Sequence, residues 1–66
     1  MPIIDVTLIE GRSPAKKVRL IEELTDAAVR ALDAPIESVR VIIREVPGYQ
    51  FGAAGKPKSP PPPVDE

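Results

Sequence analysis

Two short apolar segments flank a single helical segment in this chain, and their order limits the possible folds more than any other feature. Residues 3–9 (IIDVTLI) and 38–46 (SVRVIIREV) are rich in β-branched side chains that alternate in the manner of strands. Residues 14–32 place apolar side chains at helical spacing, at Val18, Ile21, Leu24, Ala28, Ala31 and Leu32. A helical connection of this length favours parallel pairing of the two strands through a right-handed crossover. The sequence therefore predicts an α/β (α+β) chain built on one β-α-β unit.

Local signals mark where the helix begins and ends. Ser13 is a favourable N-cap, and Pro14 suits the first helical position because its missing N–H would have no partner there. The residue before Pro35 disfavours helical geometry, so "DAP" should end the helix. The charged helix positions, among them Lys17, predict a solvated face opposite the apolar one.

The carboxy-terminal part of the chain changes character after the turn signal Pro47-Gly48. Residues 49–58 (YQFGAAGKPK) contain closely spaced glycines and predict a short hairpin or a lid. Residues 56–66 are rich in proline and predict an extended, disordered tail, whose PxxP pattern is also compatible with a proline-recognition module. We therefore divide the chain into one domain, residues 1–55, and a tail, residues 56–66.

The composition excludes several classes of protein. A chain of 66 residues has room for one small domain, and the absence of cysteine excludes a disulfide framework and a cysteine-based metal site. Nine Lys and Arg against ten Asp and Glu argue against a nucleic-acid-binding surface. No segment resembles a signal peptide or is apolar over the length of a membrane span. We expect a cytoplasmic protein with neither nucleic-acid nor membrane partners.

Two strands and one helix bury too little apolar surface to stabilise a monomer of this size. Parallel sheets normally have both faces covered, yet Ile3, Ile9 and Ile42 are surplus to the face that a single helix can cover. Small domains without disulfides or metals commonly complete their cores by oligomerising. The sequence therefore predicts a homo-oligomer, without indicating how many subunits it has.

The second residue, Pro2, has two interpretations. Proline lacks a backbone donor and is tolerated at the first position of a strand, so Pro2 could simply begin the first strand. Alternatively, removal of Met1 would give Pro2 a free secondary amine. The chain has no histidine or cysteine, and an unperturbed α-amino group titrates at about pH 8. The terminal amine therefore leads the candidates for acid–base chemistry near neutrality, and a strongly shifted Glu, Asp, Lys or Tyr49 is the other possibility.

Several short motifs occur in an order that resembles a known family. Proline follows the initiator Met, "LIEGRS" overlaps the end of the first predicted strand, and "LDAPIESVRVIIREV" leads into and through the second. Over residues 2–55 this set resembles the 4-oxalocrotonate tautomerase family, within the tautomerase superfamily. The resemblance implies a β-α-β subunit with a C-terminal hairpin, which pairs into a four-stranded dimer, and three such dimers form a homohexamer.

The resemblance also implies roles for five residues. Pro2 matches the catalytic base, and Arg40 matches an arginine that binds one substrate carboxylate and the 2-oxygen where charge develops. Arg12 matches an arginine that grips the distal carboxylate. Phe51 and Ile9 match apolar residues of the pocket. On the residues alone, both arginines could instead be solvated or structural, and Phe51 and Ile9 could serve packing or subunit contacts.

The implied activity is enol–keto tautomerisation of 2-hydroxymuconate or a related 2-hydroxy-dienoate. The small-molecule partner would be an enol or keto dicarboxylate, and neither a metal nor a cofactor would be needed. Met1 must first be removed, because the nitrogen of a peptide-bonded proline has no basic lone pair. Two alternatives stay open on the sequence: a non-catalytic oligomeric scaffold whose proline-rich tail recruits partners, and an enzyme whose Pro2 amine forms an iminium or enamine.

Departures from the family pattern narrow the expected chemistry. Dehalogenase and hydratase relatives carry an additional arginine at the position of Ile9 and an acid in the carboxy-terminal segment, and this chain has no acid between Glu45 and Asp65. Addition of water is therefore not expected as the main activity. Ala53 and Ala54 stand where the family has a bulkier residue and a third glycine, so the geometry of the hairpin is left open.

Overall fold

The computed structural model of the chain describes residues 1–63, so the last part of the predicted tail, residues 64–66, lies outside the described residues. The regular elements are, in order, β1 (Ile3–Ile9), α1 (Pro14–Leu32), β2 (Arg40–Val46), β3 (Gly52–Ala53) and β4 (Lys56–Pro57). Single 3₁₀ turns precede β2 and β3, at Ile36–Ser38 and Gly48–Gln50. This is the predicted β-α-β unit with a carboxy-terminal hairpin.

β1 and β2 pair in parallel, and the helix α1 connects them. The pairing runs from Ile3 opposite Arg40 to Ile9 opposite Val46 without interruption. A further hydrogen bond extends it at the carboxyl end, where the Glu10 N–H donates to the Val46 carbonyl at 2.9 Å. Parallel pairing was predicted from the length of the crossover and is confirmed.

The ends of α1 follow from its capping residues. The Ser13 side chain accepts a hydrogen bond from the Lys16 N–H at 3.2 Å, and Pro14 occupies the first helical position. At the other end Asp33 adopts a left-handed conformation with φ of 56°, which terminates the helix two residues before Pro35. Both boundaries agree with the prediction from sequence.

The helix presents a different face to the sheet from the one that its apolar spacing predicted. Lys17, predicted to be solvated, is half-buried, and its Nζ lies 3.0 Å from Oε1 of Glu45 on β2. Leu20 and Leu24 are half-buried beside it, whereas Val18 is 56 % exposed. The prediction for Lys17 was wrong because the helix has more apolar positions than one narrow sheet covers, and an ion pair with Glu45 satisfies the lysine at the sheet.

The two faces of the sheet differ in how well they are covered. Ile4, Val6 and Leu8 of β1 are half-buried on the helix side, while Ile3 on the other side is 62 % exposed. Among the described residues only Val39 is buried. The chain exposes 5251 Å², whereas a compact monomer of its 7.1 kDa mass exposes about 4,100 Å². Exposed apolar side chains such as Ile3, Ile42 and Leu32 contribute to this large surface.

The segment after β2 forms a hairpin rather than a separate lid. Gly52 pairs with Pro57 and Ala53 with Lys56, two residues beyond the expected domain boundary. The two residues between these strands, Ala54 and Gly55, both have positive φ, as the two-residue turns of hairpins require. Within residues 1–63, no helix has the length and apolar character needed to cross a membrane.

Candidate active site

Pro2 and Arg40 lie together at the amino end of the sheet. Because β1 and β2 are parallel, the residues that begin them occupy the same end, and the Arg40 N–H donates to the Pro2 carbonyl at 3.0 Å. Pro2 is half-buried, and Met1 before it is 80 % exposed. The structure thus brings together the predicted base and one predicted anion-binding arginine.

The 3₁₀ turn before β2 holds the Arg40 side chain. Its Nη1 donates to the Glu37 carbonyl at 2.5 Å, and the Ser38 hydroxyl closes the same turn by donating to the Pro35 carbonyl at 2.7 Å. A guanidinium has five N–H donors, so this contact orients the group and leaves most donors for an anion. Arg40 itself is exposed.

Arg12, Ile9 and Phe51 lie at the opposite, carboxyl end of the sheet. Arg12 follows β1 through Gly11, whose φ of +127° favours glycine, and its Nη1 donates to the Ile9 carbonyl at 3.4 Å. Phe51 follows the end of β2 by one 3₁₀ turn and is half-buried. Arg12 thus contacts the Ile9 carbonyl and Phe51 follows the other strand, so we treat the three residues as a second group.

The length of the strands separates the two groups. β1 has seven residues, and at the usual rise per residue its ends are about 20 Å apart. A single chain therefore does not bring Arg12 to Pro2. Both strands of the two-stranded sheet have a free edge within the described chain. A second copy at either edge is the structural means by which the two groups could meet.

One pair that sequence reasoning missed lies on the sheet face away from α1. Arg44 grips Asp5 with both ends of its guanidinium, Nε to Oδ1 at 2.9 Å and Nη2 to Oδ2 at 3.1 Å. The hydrogen bonds from Arg44, together with its charge, hold the pKa of Asp5 below its ordinary value of 3.8. The sequence indicates that both residues point outward from their strands. It does not show that they meet, because that depends on how β1 pairs with β2.

Within residues 1–63, the acidic side chains do not gather in threes where they could hold a metal. A guanidinium group able to bind an anion follows each end of the sheet, that of Arg40 at the amino end and that of Arg12 at the carboxyl end.

Comparison with known proteins relates this arrangement to enzymes. The family model described as tautomerase enzyme matches residues 2–60. A probable tautomerase of Ralstonia nicotianae is 63 % identical over 59 residues, which are 89 % of this chain and 84 % of that protein. A 2-hydroxymuconate tautomerase of Pseudomonas putida is 52 % identical over 59 residues, 89 % of this chain and 94 % of that protein.

Solved structures agree with this relation. TomN, a 4-oxalocrotonate tautomerase homologue of the tomaymycin biosynthetic pathway, superimposes with a TM-score of 0.85 at 46 % identity, covering 86 % of this chain and 88 % of TomN. A heterohexamer 4-oxalocrotonate tautomerase from Chloroflexus aurantiacus gives a TM-score of 0.86 at 38 % identity, covering 88 % of this chain and 94 % of that one. Both structural matches cover nearly the whole β-α-β unit and hairpin.

Proposed function

This chain belongs to the tautomerase family and is an isomerase, and we propose that it interconverts the enol and keto forms of 2-hydroxymuconate or a related 2-hydroxy-dienoate. The observation that carries the proposal is the hydrogen-bonded neighbourhood of Pro2 and Arg40 at the amino end of the sheet. This hydrogen bond joins the two backbones, so the proposed base and the residue that carries the proposed cation begin neighbouring strands. The Pseudomonas putida relative at 52 % identity supports the choice of substrate.

Pro2 is proposed to move the proton once Met1 has been removed. Its secondary amine would accept the proton of the 2-hydroxyl group and return it to a carbon of the conjugated chain, so that no proton is gained or lost overall. Partial burial of Pro2 favours the neutral amine, which is the form that can act as a base. The exposure of Met1 leaves it accessible to an aminopeptidase.

The two arginines are proposed to hold the substrate at its two ends. Arg40 would bind the carboxylate and 2-oxygen next to Pro2, where negative charge develops as the hydroxyl proton leaves. Arg12 would bind the distal carboxylate, and Phe51 and Ile9 would exclude water from the space between. This division of labour requires two cations separated by the length of a short dicarboxylate.

The site is proposed to be composite, because Pro2 and Arg12 lie at opposite ends of β1. Two copies joined edge to edge with their strands antiparallel would put the amino end of one sheet beside the carboxyl end of the other. The same two-fold operation would create two equivalent sites in a four-stranded dimer. Three such dimers would form the proposed hexamer, an assembly supported by the heterohexameric relative. The cytoplasmic location expected from the sequence remains part of this proposal.

The proposal is tested by mixing two impaired variants, after intact-mass measurement has established that Met1 is absent. Arg12→Ala and Pro2→Ala are each expected to reduce kcat/KM for 2-hydroxymuconate by about 10²-fold or more. Equal amounts of the two variants are then unfolded and refolded together. The Arg12→Ala chain still carries Pro2 and the Pro2→Ala chain still carries Arg12, so random pairing should give about a quarter of the composite sites both intact residues. Activity should rise accordingly, to about a quarter of the wild-type rate.

The matched control replaces another arginine. Arg19→Ala removes an exposed helix side chain that lies 3.9 Å from Glu23, and it should retain the wild-type rate. A mixture no more active than its two components would show that Pro2 and Arg12 act within one chain. Absence of turnover in the wild-type protein with a free Pro2 amine would refute the proposed activity itself.

A further inference from the structure

A charged residue occupies the helix side of β2, where that strand otherwise carries apolar side chains. Glu45 lies opposite Leu8 in the strand pairing and continues the row of the half-buried Val41 and Ile43. Its Oε1 is 3.0 Å from Nζ of Lys17, and the two side chains are 31 % and 26 % exposed. The other ion pairs among residues 1–63 have side chains that are at least 48 % exposed. The contact between α1 and β2 thus includes an ion pair that is partly shielded from solvent.

A partly shielded ion pair is a poor means of stabilising a fold. Removing two charges from water costs free energy, and an apolar pair of similar size is often at least as stabilising. What an ion pair adds is a defined contact between two particular residues, here 28 positions apart in the sequence. The Lys17–Glu45 pair therefore fixes where the first turn of α1 lies against the end of β2.

The ion pair also holds the loop that carries Arg12. On the helix side of this loop, the Lys17 N–H donates to the carbonyl of Ser13, the residue next to Arg12, at 3.2 Å. On the strand side, the Glu10 N–H donates to the Val46 carbonyl at 2.9 Å. Val46 directly follows the acid of the ion pair, so both ends of the loop are tied to neighbouring residues of β2.

Within the loop, Arg12 is held only loosely. Gly11 has φ of +127°, and glycine restricts the backbone less than any other residue. The hydrogen bond from Nη1 of Arg12 to the Ile9 carbonyl is 3.4 Å long, beyond the usual range for an N–H donor. The position of the guanidinium group therefore depends on the two ties to β2.

We propose that Lys17 and Glu45 are positioning residues for Arg12, and that through Arg12 they favour a dicarboxylate substrate over a monocarboxylate. The inference rests on the proposed function, because it takes Arg12 as the group that binds the distal carboxylate. Loss of the ion pair would let the start of α1 move on the sheet, and a displacement of about 1 Å is enough to weaken substrate positioning. Lys17 acts through Arg12 in this scheme, since its own charge is paired with Glu45.

The test compares two substrates in variants that break the pair. 2-Hydroxymuconate has both carboxylates, whereas 2-hydroxypentadienoate keeps the reacting enol and the first carboxylate but lacks the distal one. Lys17→Met and Glu45→Gln should each raise KM for 2-hydroxymuconate by roughly fivefold or more, with kcat changed less than about twofold. For 2-hydroxypentadienoate, kcat/KM should stay within about twofold of the wild-type value. Lys17→Arg keeps the ion pair and should retain the wild-type KM.

A double-mutant cycle with Arg12→Ala separates positioning from a general effect on the fold. In the Arg12→Ala background, adding Lys17→Met should leave kcat/KM for 2-hydroxymuconate unchanged, because the group that the pair positions is already absent. Glu23→Gln breaks the exposed pair with Arg19 and is the matched control, which should keep the wild-type KM. Circular dichroism verifies folding, and if Lys17→Met does not fold, Glu45→Gln takes its place in the cycle.

The possible failures are distinguishable. An equal loss on both substrates, or an undiminished loss in the Arg12→Ala background, would show that the pair only stabilises the fold. A higher KM in Lys17→Met but not in folded Glu45→Gln would show that Lys17 binds the carboxylate directly. Wild-type KM in both folded variants, together with a raised KM in Arg12→Ala, would overturn this inference alone. Absence of wild-type turnover with a free Pro2 amine would refute the proposed function and this inference with it.

Discussion

At the scale of single residues, Arg12, Arg40 and Arg44 lie on or beside the sheet and differ in their hydrogen-bond partners. Arg40 is oriented by a backbone carbonyl and keeps donors available, and Arg12 contacts the Ile9 carbonyl at 3.4 Å. Arg44 is fully engaged with the Asp5 carboxylate through two hydrogen bonds. A guanidinium already gripping a carboxylate is a poor site for another one, so Arg12 and Arg40 are the better candidates for substrate binding.

The engaged carboxylate gives the protein a defined response to acid. Arg44 keeps the pKa of Asp5 in the folded chain below its ordinary value of 3.8, so below about pH 4 the unfolded chain takes up this proton first. The contribution of Asp5 is complete above that value and is lost as the pH falls through the lower folded pKa. Asp5→Asn lacks this contribution, so wild-type stability should fall more steeply than that of the variant below about pH 4.

Urea unfolding at a fixed protein concentration, repeated at several pH values, measures this difference. Glu23→Gln serves as the control, because its partner Arg19 is 3.9 Å away on an exposed helix face and the loss should have little effect. If the free energy of unfolding depends on pH in the same way for wild type and Asp5→Asn, the Arg44 contact does not persist in solution.

At the scale of elements, the hairpin contains a conformation that its sequence does not favour. Ala54 has φ of 55°, a left-handed conformation that costs an L-residue roughly 1 kcal/mol, and its neighbour Gly55 has φ of 79° without that penalty. Hydrogen bonds compensate: the Lys58 N–H lies 3.1 Å from the Gly48 carbonyl and 3.0 Å from that of Phe51. The hairpin thus keeps Phe51 near the carboxyl end of the sheet at some cost in backbone strain.

Relief of that strain is a direct test of the turn. Ala54→Gly should stabilise the hairpin by about 0.5–1 kcal/mol, because glycine adopts positive φ readily. Ala53→Gly, in the paired strand position next to it, should instead be neutral or destabilising, since glycine weakens strands. Amide hydrogen exchange of the hairpin measures the local effect. Faster exchange in Ala54→Gly than in wild type would contradict the left-handed turn.

At the scale of the whole molecule, stability depends on surfaces that one chain does not cover. One buried residue, Val39, among residues 1–63 is too small a core for a stable monomer, and apolar side chains remain exposed on α1 as well as on the sheet. Leu32 and Ile36, at 62 % and 59 %, are examples near the helix end. Folding and assembly should therefore be one linked process.

Linked folding and assembly make stability depend on concentration. The unfolding midpoint in urea should rise by a measurable amount for each tenfold increase in protein, because association adds free energy only to the folded state. Circular dichroism between low and high micromolar concentrations measures this. A midpoint independent of concentration over that range would show that the isolated chain is stable by itself.

The sequence by itself determined the elements, because the signals that limit them act over a few residues. The alternation of β-branched residues identified β1. The start of α1 was predicted from Ser13 and Pro14, and its end from "DAP", and both agree with the observed bounds. The same short-range patterns indicated Pro2, Arg12 and Arg40 as candidate site residues through their family resemblance, and these roles remain predictions.

Only the tertiary structure decided which residues meet and which stay apart. Strand pairing depends on packing summed over the whole sheet, so sequence reasoning missed Asp5 beside Arg44 and wrongly left Lys17 in solvent rather than at Glu45. The same pairing puts Pro2 with Arg40 and puts Arg12 a full strand length away. A short chain that carries its proposed site residues at opposite ends of one strand would need a neighbour to bring them together, and no local signal in the sequence carries that information.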